Sequence, residues 1–143
     1  MENKVVRQLI SNIISLRVGI KQFYFQRVKE LDLDLTYEMV QVLAVLWREG
    51  ELNQQDIADA VQKSKASITP LIDNLCKREL VERIPDPNDR RNNKITVTAK
   101  GFAYQAKVEP IQQEFLDKII QDISMEEIKE LNNSLVKIRK ALY

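Results

Sequence analysis

Histidine is absent from this chain, and cysteine occurs once, as Cys76. A metal site built from several Cys and His ligands is therefore excluded, as is an intramolecular disulfide. Histidine-based proton transfer goes with them. With only 3 Gly, there is no glycine-rich phosphate loop. No evident cluster of paired carboxylates stands in their place, so an enzyme is the poorest of the function classes, and no cofactor is expected. No apolar stretch approaches the roughly 18 residues of a membrane span. Arg7, Arg17 and Lys21 interrupt the N-terminal apolar runs, which speaks against a signal peptide. The expected location is the cytoplasm, with no membrane partner.

What is present is ordinary in amount and uneven in placement. The chain has 143 residues, 44% hydrophobic and 30% charged, enough for one folded domain. Only 6% aromatics, with so few glycines, fit a mostly helical chain. The net charge of +1 argues for no particular partner. Residues 63–100, however, hold nine basic and five acidic side chains, while 32–62 carry mostly acids. A localised basic surface is the electrostatic footprint of a nucleic-acid binder, although many solvated faces look similar.

Helical spacing runs through residues 4–30, with Val6, Leu9, Ile10, Ile13, Ile14, Ile20, Phe23, Tyr24 and Val28 recurring. Thr36 is placed to cap a helix over 37–49 with Val40, Leu43, Ala44 and Trp47 inward, and Gly50 ends it. Asn53 caps a short helix whose apolar side is Ile57, Ala58 and Val61. A helix over 64–79 follows, with Ile68, Leu71, Ile72 and Leu75 inward. Pro70 removes one hydrogen-bond donor from it, which predicts a loosened or tilted first turn. Strands are expected over 81–85 and 94–98. Thr98 caps a helix over 99–122, kinked at Pro110. Ser124 opens the last helix, with Glu127 at the capping-box position. There Ile128, Leu131, Leu135, Ile138 and Leu142 alternate by three and four, a coiled-coil-like seam. The terminal segments are too apolar for lone surface helices and are expected to pack together across a dimer axis.

The most informative stretch is Glu82–Thr98, two strand-like runs around a polar turn that ends in Arg90-Arg91. It directly follows what reads as a helix-turn-helix. A hairpin with arginines at its tip, so attached, reads as a wing lying along a DNA backbone or in the minor groove.

This arrangement resembles the MarR (multiple antibiotic resistance regulator) family of bacterial transcription factors. Leu52-Asn53-Gln54-Gln55-Asp56-Ile57-Ala58 is similar to the first helix of that family's helix-turn-helix, and Ser64–Leu75 to its recognition helix. Lys77–Arg83 resembles the approach to the wing. Asp86-Pro87-Asn88-Asp89-Arg90-Arg91 with Val97-Thr98-Ala99-Lys100-Gly101 is the most specific piece. The implied fold is mainly α with a small β-wing: a winged helix-turn-helix dimerising through its N- and C-terminal helices. It would comprise an N-terminal dimerisation helix (1–35), a DNA-binding lobe (36–100) and C-terminal dimerisation helices (101–143), together one structural domain. The implied function is a ligand-responsive repressor, a homodimer on a pseudo-palindromic operator in double-stranded DNA. A small anionic or phenolic effector would release it. Glu79 stands where the family often has Gly, so its turn is expected to differ or carry mild strain. Thr69-Pro70 is similar to the peroxide-sensing branch, but the N-terminal cysteine on which that branch depends is missing.

Each functional residue has a plainer reading beside it. Arg90 and Arg91 are expected to touch DNA, or else to sit in a solvated turn paired with Asp86 or Asp89. Those two acids would cap the turn and orient the arginines. Ser64, Lys65, Ser67 and Thr69 are expected at phosphates and base edges, with Asn74 and Lys77 further along the helix. Ser64 caps the helix as well. Asn53 and Gln54 could aim a helix N-terminus at a phosphate, against simple capping by Asn53. Dimerisation falls to Leu9, Ile13, Leu131, Leu135, Ile138 and Leu142. Cys76 is read as a small core residue rather than a redox switch. Phe23, Tyr24, Tyr37, Trp47 and Phe102 could form an effector pocket, though core packing suits any one of them. The second hypothesis is a winged-helix protein–protein module with a basic face for an acidic partner.

Overall fold

The computed structural model describes all residues, Met1–Tyr143, in two compact units, Met1–Glu109 and Pro110–Tyr143. The division falls at the proline inside a helix, whereas the sequence was divided by role at 100/101.

The first unit opens with α1 (Glu2–Glu30) and α2 (Tyr37–Glu49). The Thr36 hydroxyl accepts from the Met39 N–H at 3.2 Å, so α2 begins where its cap was expected. Gly50 ends it at φ +82°, a left-handed conformation that favours glycine. A short strand, β1 (Leu52–Asn53), follows, then α3 (Gln54–Ala60), α4 (Lys65–Lys77), β2 (Val81–Asp86) and β3 (Asp89–Val97). Helix α5 (Ala99–Ile119) starts in the first unit, and α6 (Met125–Leu142) lies in the second.

The core of the first unit gathers under α2, where Met39, Val40, Val42, Leu43, Val45 and Leu46 are all buried. The expected stripe was narrower and included Ala44 and Trp47, both only half-buried. The stripe broadens because α2 is packed against α1, α3, α4 and β3 rather than on one side alone. Ile57 and Ala58 come from α3, Ile68, Ile72 and Leu75 from α4, Leu80 from the turn after it, and Val81 and Ile95 from the hairpin. Leu71 and Val61, also expected inward, are half-buried.

Three antiparallel strands run in the order β1-β3-β2. β1 pairs Leu52 with Ile95 and Asn53 with Lys94. Two residues are too few for a strand periodicity, which is why it escaped the sequence reading. The long strand β3 is a correction too: it starts at Asp89 rather than 94, leaving Pro87-Asn88 as the turn. The arginines therefore lie within the span of β3, at an exposed tip that carries no apolar alternation to mark it. α4 stays α-helical through Pro70, and the Ile68 N–H reaches the Ser64 carbonyl at 3.1 Å. The first turn is thus closed, contrary to the loosening expected there. Proline removes a single donor, and Ala66, whose carbonyl loses it, is exposed to water.

α4 closes in a Schellman arrangement. The Leu80 N–H donates to the Leu75 carbonyl at 3.0 Å and the Glu79 N–H to the Cys76 carbonyl at 2.9 Å. Glu79 takes the left-handed position at φ +60°, where the strain was expected. The start of α5 is built onto this end. The Thr98 hydroxyl donates to the Glu79 carbonyl at 2.6 Å, and Lys100 Nζ to the Arg78 carbonyl at 3.0 Å. Gly101 makes that approach feasible: a Cβ there would lie 2.2 Å from the Leu80 carbonyl oxygen.

In the second unit, Ser124 and Glu127 form the expected capping box, with the Glu127 N–H to Ser124 Oγ at 3.1 Å and the return bond at 2.8 Å. Those hydrogen bonds from Ser124 hold the Glu127 carboxyl below the usual carboxylate range. No residue of α6 is buried.

Candidate nucleic-acid interface

Ser64 caps α4 through the Ser67 N–H at 3.1 Å, and the two hydroxyls lie 2.9 Å apart. Lys65 and Ser67 are exposed beside them on the first turn. Asn74 and Lys77 are exposed two to three turns further along. Asn53 caps α3, with its side chain accepting from the Asp56 N–H at 2.8 Å.

At the wing, the pairing partner on β3 jumps from Asn93, opposite Pro85, to Asp89, opposite Asp86. Arg90, Arg91 and Asn92 are left without a register partner, so the strand bulges where the arginines sit. The Asp86 carboxylate accepts from the Asn88 N–H and the Asp89 carboxylate from the Arg91 N–H, each at 2.9 Å. Asp89 also takes a bond from the Asn92 amide at 3.1 Å. The acids thus cap the turn, as expected. Their bonds go to backbone and amide groups rather than to guanidinium, and both arginines are exposed.

Folding brings four of the sequence-predicted residues to one place. Asn53, Gln54, Lys65 and Arg91 line a cleft of about 130 Å³, joined by Gln55, Asn92 and Asn93. Two cations and five side-chain amides face it, with no carboxylate in the lining. Such a surface suits a polyanion: the cations meet phosphates, and Asn and Gln amides match adenine edges. Ser64, Ser67, Asn74, Lys77 and Arg90 lie outside the cleft lining.

Gln54 and Thr69 are already engaged. The Gln54 amide donates to Thr69 Oγ1 at 3.1 Å, and Thr69 donates to the Lys65 carbonyl at 3.1 Å. Arg83 on β2 completes the group. Its Nε faces Gln54 Oε1 at 3.4 Å, and another of its nitrogens meets Asp73 Oδ1 at 2.6 Å. In the sequence, Arg83 stands out only as part of the basic surface and of the approach to the wing. A signal was there: Arg83 shares strand parity with the buried Val81, and a charge on an inward face needs a partner.

Cys76 is half-buried, and burial pushes its thiol pKa up despite the nearby Arg83. That makes the sulfur less nucleophilic, in line with a packing role.

The five aromatics proposed for an effector pocket fall into separate places. Phe23, Tyr24 and Tyr37 form a chain of ring contacts, with centroids 5.7 and 5.5 Å apart. Trp47 instead donates to the Gly101 carbonyl at 3.2 Å, and Phe102 is exposed. Burial raises the Tyr24 and Tyr37 pKa values, so both hydroxyls stay protonated. Beside Tyr37 opens a cleft of about 370 Å³ lined by Arg17, Lys21, Glu38, Gln41, Val61, Gln62 and Lys63. Burial works to raise the Glu38 pKa, but the Lys21 ammonium, 2.8 Å away, helps bring it below the usual value.

A model of the MarR family matches residues 35–92. The HTH-type transcriptional regulator SarZ of Staphylococcus haemolyticus is 31% identical over 104 residues, 71% of this chain and 68% of that protein. The HTH-type transcriptional regulator MhqR of Bacillus subtilis is 30% identical over 97 residues, 68% and 67% of the two chains. The solved S. aureus MepR–DNA complex is similar in fold, with a TM-score of 0.82 and 26% identity over 92% of this chain and 94% of that one. No helix here is long and apolar enough to cross a membrane.

Proposed function

This chain belongs to the MarR family, and from that premise we propose that it is a DNA-binding transcriptional regulator, a repressor that acts as a homodimer. The observation that carries the reading is the cation- and amide-lined cleft between the start of α4, the start of α3 and the bulged wing. Lys65, Ser67 and the Ser64 cap would meet phosphates and base edges in the major groove, with Asn74 and Lys77 flanking. Arg90 and Arg91 would follow the wing into the adjacent backbone or minor groove, where a guanidinium suits the negative potential. Two symmetric copies would then address half-sites roughly 34–36 Å apart.

The dimer would be built on α1 and α6. Leu9 and Ile13 on α1, and Leu131, Leu135 and Leu142 on α6, are all exposed in the single chain, and Ile138 is half-buried. Exposed apolar stripes of this extent mark an assembly surface.

A small anionic effector would act through the cleft beside Tyr37, where three cations face one carboxylate. Bound there, it would favour one spacing of the two lobes over another, and its effect would be limited by its differential affinity for the two arrangements.

The test is binding to the intergenic DNA beside the protein's own gene at two salt concentrations, with random duplex as competitor. Preferential binding that weakens steeply with salt is expected. Arg90→Ala with Arg91→Ala should flatten the slope of log affinity against log salt by roughly 0.9 for each phosphate that is no longer neutralised. An unchanged slope and affinity would remove the wing from the interface. No preference over random duplex in the parent protein would remove the regulator reading.

A further inference from the structure

We propose that Arg83 is a positioning residue that sets the angle of the recognition helix against the wing, and so contributes to operator discrimination without touching DNA. The inference rests on the DNA-binding reading above and deepens it.

One guanidinium reaches three groups on two helices. From β2, Arg83 meets Asp73 on α4 at 2.6 Å, Gln54 on α3 at 3.4 Å and the Cys76 sulfur on α4 at 3.9 Å. Its side chain is 28% exposed and that of Asp73 is 49% exposed. Gln54 then carries the restraint onward. With its carbonyl end toward Arg83, its amide end faces Thr69 Oγ1 at 3.1 Å. Strand, first helix and recognition helix are thus joined by a single fork of donors, whose planar geometry lysine could not reproduce.

The network also changes what its members offer to a ligand. The Asp73 carboxylate on α4 is 49% exposed, and an unpaired anion there would repel phosphate. Arg83 neutralises it at hydrogen-bond distance. Gln54 and Thr69 have their polar atoms committed to each other, to Arg83 and to the Lys65 carbonyl. They buttress the interface, while Lys65, Ser67, Arg90 and Arg91 remain open to solvent.

Position and contact predict different measurements. A residue on a phosphate lowers affinity for every sequence and reduces the salt slope when removed. A positioning residue lowers affinity for the operator more than for random duplex, since base contacts need register while phosphate contacts tolerate small shifts. Arg83→Met keeps the stem and removes the fork. Its operator affinity should fall roughly tenfold or more, comparable to one mismatched base pair, with random-duplex affinity falling less, through the unpaired Asp73 carboxylate, and the salt slope unchanged. Arg83→Lys should recover little, because one ammonium cannot serve all three partners. Exchanging the pair, Asp73→Arg with Arg83→Asp, should restore part of the discrimination that either single change loses.

Deuterium uptake without DNA separates the two ideas. Faster exchange in both α4 and the wing of Arg83→Met is expected whether or not the parent protein prefers its operator. A parent protein without operator preference, combined with that faster exchange, overturns the DNA reading and the discrimination role with it, leaving only the clamp. Operator preference in the parent with unchanged discrimination in Arg83→Met overturns the positioning role alone. A salt slope lowered by about 0.9 would also overturn it, since that marks direct phosphate contact.

Discussion

Helices α4 and α6 are both amphipathic, yet they end in opposite states. In α4 the apolar residues Ile68, Ile72 and Leu75 have no solvent exposure at all. In α6 the seam residues Leu131 and Leu135 are 45% and 37% exposed, and no residue of the helix is buried. The difference lies in what each face meets within the chain. α4 is met by α2, α3 and β2, which close a core around it. The stripe of α6 is left exposed in the single chain. The first half of α1 follows α6: Val5, Val6, Leu9, Ile10, Ile13 and Ile14 are all exposed. The apolar residues under α4 are thus enclosed within the chain, while those of α6 and the first half of α1 are left exposed.

The sharpest way to break that comparison is to cut both helices. Ile72→Ala leaves a cavity in a closed core and should lower unfolding stability by about 2–5 kcal/mol, a large part of the roughly 5–15 kcal/mol of a typical domain. Denaturant titration reads it. A loss under about 1 kcal/mol would mean that the lobe collapses around the gap, and that the core under α4 is looser than its burial implies. Leu135→Asp should instead leave the lobe's helical signal intact and shift the monomer–dimer equilibrium by about 2 kcal/mol or more, as for a residue central to an interface. Sedimentation at several concentrations measures it. Unchanged association would separate α6 from the assembly surface and leave its exposed seam unexplained.

The same contrast decides how much of the molecule could be read from sequence. Periodicity and caps found the helices: Thr36, Asn53, Ser64 and Ser124 each accept the hydrogen bond that their position promised. These signals are local, which is why they survive without knowledge of the fold. The apolar surplus of the terminal segments was equally visible, because a stripe needs no partner in order to be seen. What sequence could not supply were relations between distant residues. β1 exists only because Leu52 and Asn53 meet β3. The wing strand is cut short in the sequence because Asp89–Asn93 has no apolar alternation, and only its two ends, Asp89 opposite Asp86 and Asn93 opposite Pro85, pair with β2. The breadth of the α2 core depends on four elements arriving around it. Within the cleft, Lys65 and Arg91 are identifiable by type, but the Asp73–Arg83–Gln54–Thr69 network requires three elements to converge.

Caps offer a finer version of the comparison. Thr36→Ala removes an acceptor from a helix inside the core and should cost about 1 kcal/mol of global stability. Ser124→Ala removes the equivalent group from α6, and its effect should be confined to faster hydrogen exchange in that helix's first turn. The Glu127 half of the box adds a pH dependence. Its pKa is depressed in the folded state, so its contribution is present above the ordinary carboxylate pKa and is lost as pH falls through the depressed value. Acid should therefore fray the start of α6 through its cap, whereas the Thr36 cap of α2 does not titrate and acid reaches the start of that helix only through Glu38, whose pKa is also lowered. Unchanged protection at the start of α6 across that range would mean that its capping box is idle.

The smallest expected effect is a gain. Glu79 holds a left-handed conformation at φ +60° directly after α4, and it places a carboxylate by the negative end of that helix. Glycine would relieve the backbone strain of about 1–2 kcal/mol, less the roughly 0.5–1 kcal/mol of extra freedom that it brings to the unfolded chain. Glu79→Gly should thus stabilise the lobe by about 0.5–1 kcal/mol. Glu79→Gln keeps the strain and removes the charge, so any gain it shows belongs to electrostatics alone. If the glutamine variant gained as much as the glycine variant, the turn would carry no conformational penalty. If neither gained, the hydrogen bond from Thr98 to the Glu79 carbonyl would be holding the turn firmly enough to offset both costs. The lobe's rigidity would then reside in the α4–α5 junction as much as in the apolar core beneath it.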